Sequence, residues 1–346
     1  MQKSWQTVLG ALSGVVGLVT WALAAAIYQP FMQPDGFWTD SSTGQVFPEV
    51  GGNNTYWPRD IRQLAILLAL GGVILICRAN IRGVEAGSIA ITIWLGVDIW
   101  LDRVDVAGGT TVMWLAIGGI AMFSTTAVVA VRVSAGHGGP PIVRHVSAVV
   151  LAILAVVTMM VTTPWDEPVT NPDQVAVENA LSVLRAGLVA MFIATAIGLI
   201  ADRLTAVRAR RVAAFIVVAA MASWIATASY GPLSAVGLIG MSVAATLAVA
   251  AAREVNLIRL LAVAMACCLA QLPAMIILYL TGSAVGSAMT SLADNPPINA
   301  ADTDLSIAFA GLVLGLLLGS ISYMITSPAP KPPNLHRDSG PLANRA

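Results

Sequence analysis

The sequence predicts an all-α integral membrane protein, a bundle of about ten transmembrane helices with both termini cytoplasmic. Three observations predict it. Of 346 residues, 57% are hydrophobic and 10% charged, with mean hydropathy +0.81. A soluble domain carries about 25% charged residues, so this chain cannot cover its surface for water. The apolar residues fall in runs of about 20, the length that crosses a hydrocarbon core. The charged residues lie mostly between those runs, and the sign of the connections alternates.

The runs are 6–28, 61–77, 87–106, 111–131, 146–163, 179–201, 212–230, 232–251, 259–281 and 305–326. Backbone groups in lipid must satisfy one another within the segment, so each run is expected as a helix. All but four of the 18 basic residues fall on one side; Arg59, Arg62, Arg103 and Arg185 are the exceptions. The positive-inside rule makes the basic side cytoplasmic, which places the chain in a cell membrane as a multi-pass protein. Arginine outnumbers lysine heavily, with only Lys3 and Lys331 present, a bias that suits a high-GC bacterial genome.

The first run follows "MQKSW" and ends "ALAAA", which has the look of a secretory signal. It is longer than a typical signal core and a membrane bundle follows, so it is expected to be retained as a helix. Three outer connections are long, at about 29–60, 164–178 and 282–304, and two are tight, at 107–110 and Gly231. The first, "QPFMQPDGFWTDSSTGQVFPEVGGNNTYWPRD", is rich in Gly, Pro, Asn and aromatics and is expected to form a compact cap. The third is expected to be mobile. The order of long and tight loops admits a parallel repeat of four, four and two helices. The alternative is that any two apolar helices with charged ends align as well as these do. Residues 1–326 thus form the transmembrane domain, and the Pro-rich tail 327–346 is expected to be disordered and cytoplasmic.

The third run ends "WLGVDIWLDRVDV", Trp94 to Val106. Steps of four, four and three put Trp94, Asp98, Asp102 and Asp105 on roughly one helix face. A charge at mid-membrane costs about 2.5–3.5 kcal/mol on insertion scales, so this stripe is expected to face the interior or a polar vestibule. Arg185, in the sixth run, is the expected counter-charge of Asp98, with Arg103, Arg62 and Arg59 as further candidates. For Asp102 and Asp105 a solvated helix end is the simpler expectation. In the ninth run "CCLAQLPAM" sets Gln271 beside Pro273, whose missing N–H frees a carbonyl; both are candidates to line a site. Tryptophans gather in the outer half, Trp5 alone lying inside, as if that surface met an amphipathic ligand or a protein partner.

No GxxxxGK[ST], HExxH or GxSxG motif occurs and no Cys/His ligand set is apparent, so no cofactor and no metal are expected. Cys77, Cys267 and Cys268 read as small core residues, and His137, His145 and His336 as solvated loop residues. Zero formal net charge predicts no nucleic-acid partner; the lipid bilayer, and other membrane subunits in the second reading below, are the expected partners. Three functions fit. The first is a transporter or permease with an outward-facing polar vestibule lined by Asp98, Asp102, Arg185, Trp94, Gln271 and Pro273. The second is a non-catalytic subunit or scaffold of a larger complex. The third is an outer-leaflet transferase acting on a lipid-linked substrate, with Asp35, Asp40, Asp60 or Asp98 as its base or a metal ligand. An enzyme is the least favoured of the three.

Overall fold

The computed structural model describes residues 2–32, 37–39, 42–48, 57–134, 138–161, 172–228, 232–295 and 305–327. Within them α1 (Gln2–Leu23) passes through a π turn (Ala24–Tyr28) into α2 (Gln29–Met32). A short antiparallel hairpin follows, β1 (Phe37–Thr39) against β2 (Val46–Pro48), with Trp38 opposite Phe47. It lies in the segment expected as a cap. Then come α3 (Trp57–Ile76), α4 (Ile81–Arg103), α5 (Gly109–Val133), α6 (Pro141–Met160) and α7 (Pro172–Ile200). The chain closes with α8 (Ala206–Ala228), α9 (Pro232–Ala251), α10 (Leu257–Leu292) and α11 (Ile307–Thr326).

Nine of the described helices are long and apolar enough to cross a membrane, and the protein is a multi-pass membrane protein. The tenth, α3, is long enough but carries Arg59, Asp60 and Arg62 in its first two turns. It is nonetheless the most enclosed element, buried along nearly its whole length from Trp57 to Leu75. It packs on α1, α4, α5, α6, α7 and α11. The contact with α1 is close because glycines face backbone. A Cβ on Gly72 would stand 2.5 Å from the Gly10 carbonyl oxygen, and one on Gly17 2.6 Å from that of Ala65. Small residues let helix backbones approach in lipid, where no hydrophobic force drives helices together.

The periphery reads differently. Only 17% of the most apolar stretch of α5 and of α8 is buried, against 56% for the first helix, α6 and α9. The outward faces of α5, α8 and α10 are therefore lipid-facing surface. The two runs of four helices also differ: α3 packs along α4, whereas α8 rests on α9 and is not packed along α7.

Several boundaries depart from the sequence expectation. α6 begins at Pro141, where proline suits the first helical turn because its missing N–H would be unpaired there anyway. His145 is consequently inside the helix and buried, not solvated. Its Nε2 is 3.0 Å from Ser322 Oγ, and its ring lies against Tyr323. His137 and His336 lie outside the described residues. α10 runs to Leu292, well into the stretch expected as a mobile loop. Ala, Met and Leu favour helix there, and Leu278, Gly282, Gly286 and Thr290 continue its buried face at four-residue steps. Asp294, at φ 61°, ends it. Pro273 sits inside this continuous helix. Cys77 and Cys267 are buried, but Cys268, a step of 100° further round α10, is exposed.

Hydrogen bonds tie the basic turns into one end of the bundle: Gly139 N to the Arg78 carbonyl, Arg144 to Asp202, Arg208 to Glu254, and Arg253 to Thr326. The opposite end holds the candidate site.

Candidate functional site: a buried arginine between two aspartates

On α4 the buried residues Trp94, Asp98, Leu101 and Asp102 form one inward stripe. Arg62, one turn and a half into α3, meets it. The Arg62 side chain is 2% exposed and those of Asp98 and Asp102 are 3% and 2%. Its Nη2 donates to Asp98 Oδ2 at 3.3 Å, and its Nε lies 3.1 Å from Asp98 Oδ1, in ion-pair contact but off the hydrogen-bond direction. Its Nη1 donates to Asp102 Oδ1 at 3.0 Å and to Gln29 Oε1 at 3.3 Å. A planar guanidinium thus grips one carboxylate side-on and reaches the second with its remaining edge, a geometry lysine could not reproduce.

The remaining carboxylate capacity is filled from two other elements. Trp21 Nε1 of α1 donates to Asp98 Oδ1 at 2.6 Å, and the Trp21 ring meets Trp94 edge-on at 5.2 Å. Asn295, just past α10, donates to Asp102 Oδ2 at 3.2 Å. A turn away, Arg59 Nη1 donates to Thr290 Oγ1 at 2.5 Å. Gln63 links α3 to α11 by accepting from Ser306 Oγ at 3.1 Å. The π turn joins this end through its displaced backbone. The Ala26 carbonyl accepts from Gly108 N at 2.8 Å, and Gly108 has φ 97°, which glycine alone adopts without strain. π turns concentrate at functional sites.

One arginine between two buried aspartates leaves this trio with a formal charge of −1. Such groups within membrane-spanning segments are expensive and mark functional positions by default. Both carboxylates are buried. The space at Asp102, bounded by Ala25, Gln29, Pro30, Leu101, Asp105 and Val106, is about 30 Å³, room for about one water. Gln29 Nε2 is buried without a hydrogen-bond partner.

The expected residues are placed as follows. Trp94, Asp98 and Asp102 come together; Asp105 turns out to the surface at φ 47°. Burial and the neighbouring Asp102 push the Asp105 carboxyl above its ordinary range. Arg185 does not pair with Asp98. It is half-buried, and its Nη1 donates to the Val161 carbonyl at 2.6 Å, at the end of α6. The counter-charge is Arg62, because α3 packs along α4 while α7 lies on α1, α3 and α6. Gln271 is buried away from this cluster, donating to the Cys267 carbonyl at 3.3 Å with its Oε1 unmet. Asp60 lies in the first turn of α3, where a carboxylate complements the helix dipole. Asp35 and Asp40 lie outside the described residues. Trp21, Gln29, Gln63, Thr290 and Asn295 were not foreseen. The signal for part of this was present: Arg59, Arg62 and Gln63 follow at steps of three and one, sharing a face of a helix otherwise fit for lipid.

Comparison with known protein families, with curated proteins and with solved structures gives no match.

Proposed function

We propose that the chain is a permease-like carrier in a cell membrane, with the Arg62–Asp98–Asp102 cluster as the closure of its outer end. The observation that carries this reading is a buried ionic cluster held jointly by α1, α2, α3, α4 and the end of α10. Charged groups that bridge separate helices can exchange partners when those helices part, and a polar passage would then open at Asp102 and Gln29. The small space of about 30 Å³ beside them supports reading this conformation as the closed form of such a carrier. The basic end is cytoplasmic in this reading, by the distribution of arginines.

A second reading is favoured by a specific feature. Trp100 on α4 and Trp114 on α5 are exposed near the same end, and aromatic anchors of this kind are enriched at protein interfaces. In that reading the chain is a scaffold or subunit, and the cluster fixes its fold. Native mass spectrometry of the chain extracted gently from its own membrane separates the two. A lone chain, bare or carrying a small polar solute, is the expected result. A stoichiometric protein partner that stays bound would contradict the carrier and establish the subunit.

A further inference from the structure

A second feature lies far from the ionic cluster. Between α6, α7, α8 and α9 runs a cavity of about 330 Å³. Its walls are almost wholly apolar, mixing Val, Ile and Met with small residues such as Ala155, Ala196, Ala219, Ala245 and Ala248, with Ser223 near one end. It exists because α8 leans on α9 and leaves a gap toward α7. Its walls run from Val189 to Ile200 on α7 and from Val212 to Ser223 on α8. Eleven residues at 1.5 Å each make it about 16 Å long. That is close to half of a hydrocarbon core about 30 Å thick, the depth of one leaflet.

The cross-section selects the occupant. A volume of about 330 Å³ over about 16 Å gives roughly 20 Å² for atom centres, about 5 Å across and so about 8 Å between walls, still narrower than the 10–12 Å of a helix with side chains. A hydrocarbon chain fits and a partner helix does not. The end at Ile200, Val212 and Val249 lies toward the basic end of the bundle. There the segment 201–211, which includes the first residues of α8, carries Arg203, Arg208, Arg210 and Arg211 against Asp202 alone. Arg208 stands four residues before Val212 and eleven before Ala219, on the helix face that lines the groove. Arg144 stands likewise eleven residues before Ala155. Their ion-pair partners, Asp202 and Glu254, are at the mouth, and the Glu254 side chain is 85% exposed. Arg211, one turn beyond Arg208, donates to the Val255 carbonyl at 3.4 Å.

We propose that this groove binds one acyl chain of an anionic phospholipid from the leaflet at the basic end, its phosphate resting beside Arg208 and Arg211. Basic pockets between membrane helices hold anionic headgroups in this way. The site stands whether or not the chain is a carrier.

The test uses the full chain in detergent, stripped of lipid and titrated with dioleoyl phosphatidylglycerol or dioleoyl phosphatidylcholine, bound molecules being counted by native mass spectrometry. Wild type is expected to retain one phosphatidylglycerol at least about fivefold more tightly than phosphatidylcholine, as about 1 kcal/mol per arginine near a headgroup implies. Arg208→Gln should lower phosphatidylglycerol retention about fivefold and leave phosphatidylcholine unchanged, and Arg208→Lys should keep most of it. Ala245→Phe, which fills the groove, should abolish the tight site. If that variant does not fold, Ile216→Trp on the opposite wall is the substitute. Leu261→Phe, on the lipid-facing side of α10, should bind as wild type does. Equal retention of the two lipids by wild type, or unchanged phosphatidylglycerol binding in both the arginine and the groove-filling variants, would overturn the proposal.

Discussion

At Arg62 three interactions meet that were paid for separately in desolvation. Removing one partner leaves the others buried and uncompensated, which costs about 3–5 kcal/mol for a buried pair. Arg62→Gln should therefore lower the thermal unfolding midpoint in detergent sharply. The triple variant Arg62→Gln/Asp98→Asn/Asp102→Asn, which removes every charge together, should recover much of that loss. A triple variant less stable than the single one would show that the cluster is worth more than its desolvation. Asp105 offers a milder case. Its carboxyl is pushed above the ordinary value near 3.8, so its charged form is less favourable in the folded state. The sign follows: its contribution is most favourable below that ordinary value and declines as pH rises through the raised one. Asp105→Asn keeps a side chain that tolerates positive φ and removes the charge. It should leave stability unchanged or slightly raised near neutral pH and flatten its pH dependence in the acid range, followed by unfolding at stepped pH. Much at this scale was legible. Spacing alone announced Trp94 and Asp98 as an inward stripe, whereas Asp102, expected at a solvated helix end, is buried with them. Their counter-charge, Arg62, was one of four candidates but Arg185 was preferred over it, because spacing along one helix carries no information on which neighbour packs against it.

At the scale of elements, α1 and α3 touch through glycine. Gly72 and Gly10 approach each other's backbone, and a methyl at Gly72 would meet the Gly10 carbonyl oxygen at 2.5 Å. Backbone cannot yield as a flexible side chain does. Gly72→Val should force the two helices apart, separate Trp21 from Asp98, and give an unstable or poorly folded protein. Gly96 and Gly118, by contrast, face open space. Gly118→Ala should be tolerated and should stabilise α5 by about 0.5–1 kcal/mol, the cost of glycine in a helix. Thermal unfolding of the two variants compares them directly. Nearly every membrane helix could be read from its run of apolar residues, because lipid imposes length and polarity on each segment alone. The ends could not. His145 was read as a loop residue because charge and proline masked the start of α6. The last turns of α10 were read as loop because Gly, Ser and Thr there look loop-like in sequence, although their buried face continues at steps of four.

For the whole molecule, two ends of different character emerge. One gathers arginines in short turns linked by hydrogen bonds; the other closes over a buried ionic cluster with the continuation of α10 laid beside it. The sequence announced this polarity through the alternation of charge. It did not announce the gap between α7 and α8, since a cavity is a property of packing between segments distant in the chain. The account's central claim is that the cluster is a closure that opens. Ala25 tests it most directly, being buried in the π turn and lining the space beside Asp102. With Ala25→Cys in a background of Cys268→Ala, the rate of labelling by a membrane-impermeant maleimide is measured in proteoliposomes. The account predicts slow labelling of the folded protein. It predicts a rate about tenfold higher with Asp102→Asn, as a loss of about 1.4 kcal/mol of closing free energy implies. A thiol that stays unlabelled in both backgrounds until the protein is unfolded would contradict it, and would make the cluster a fixed structural hub.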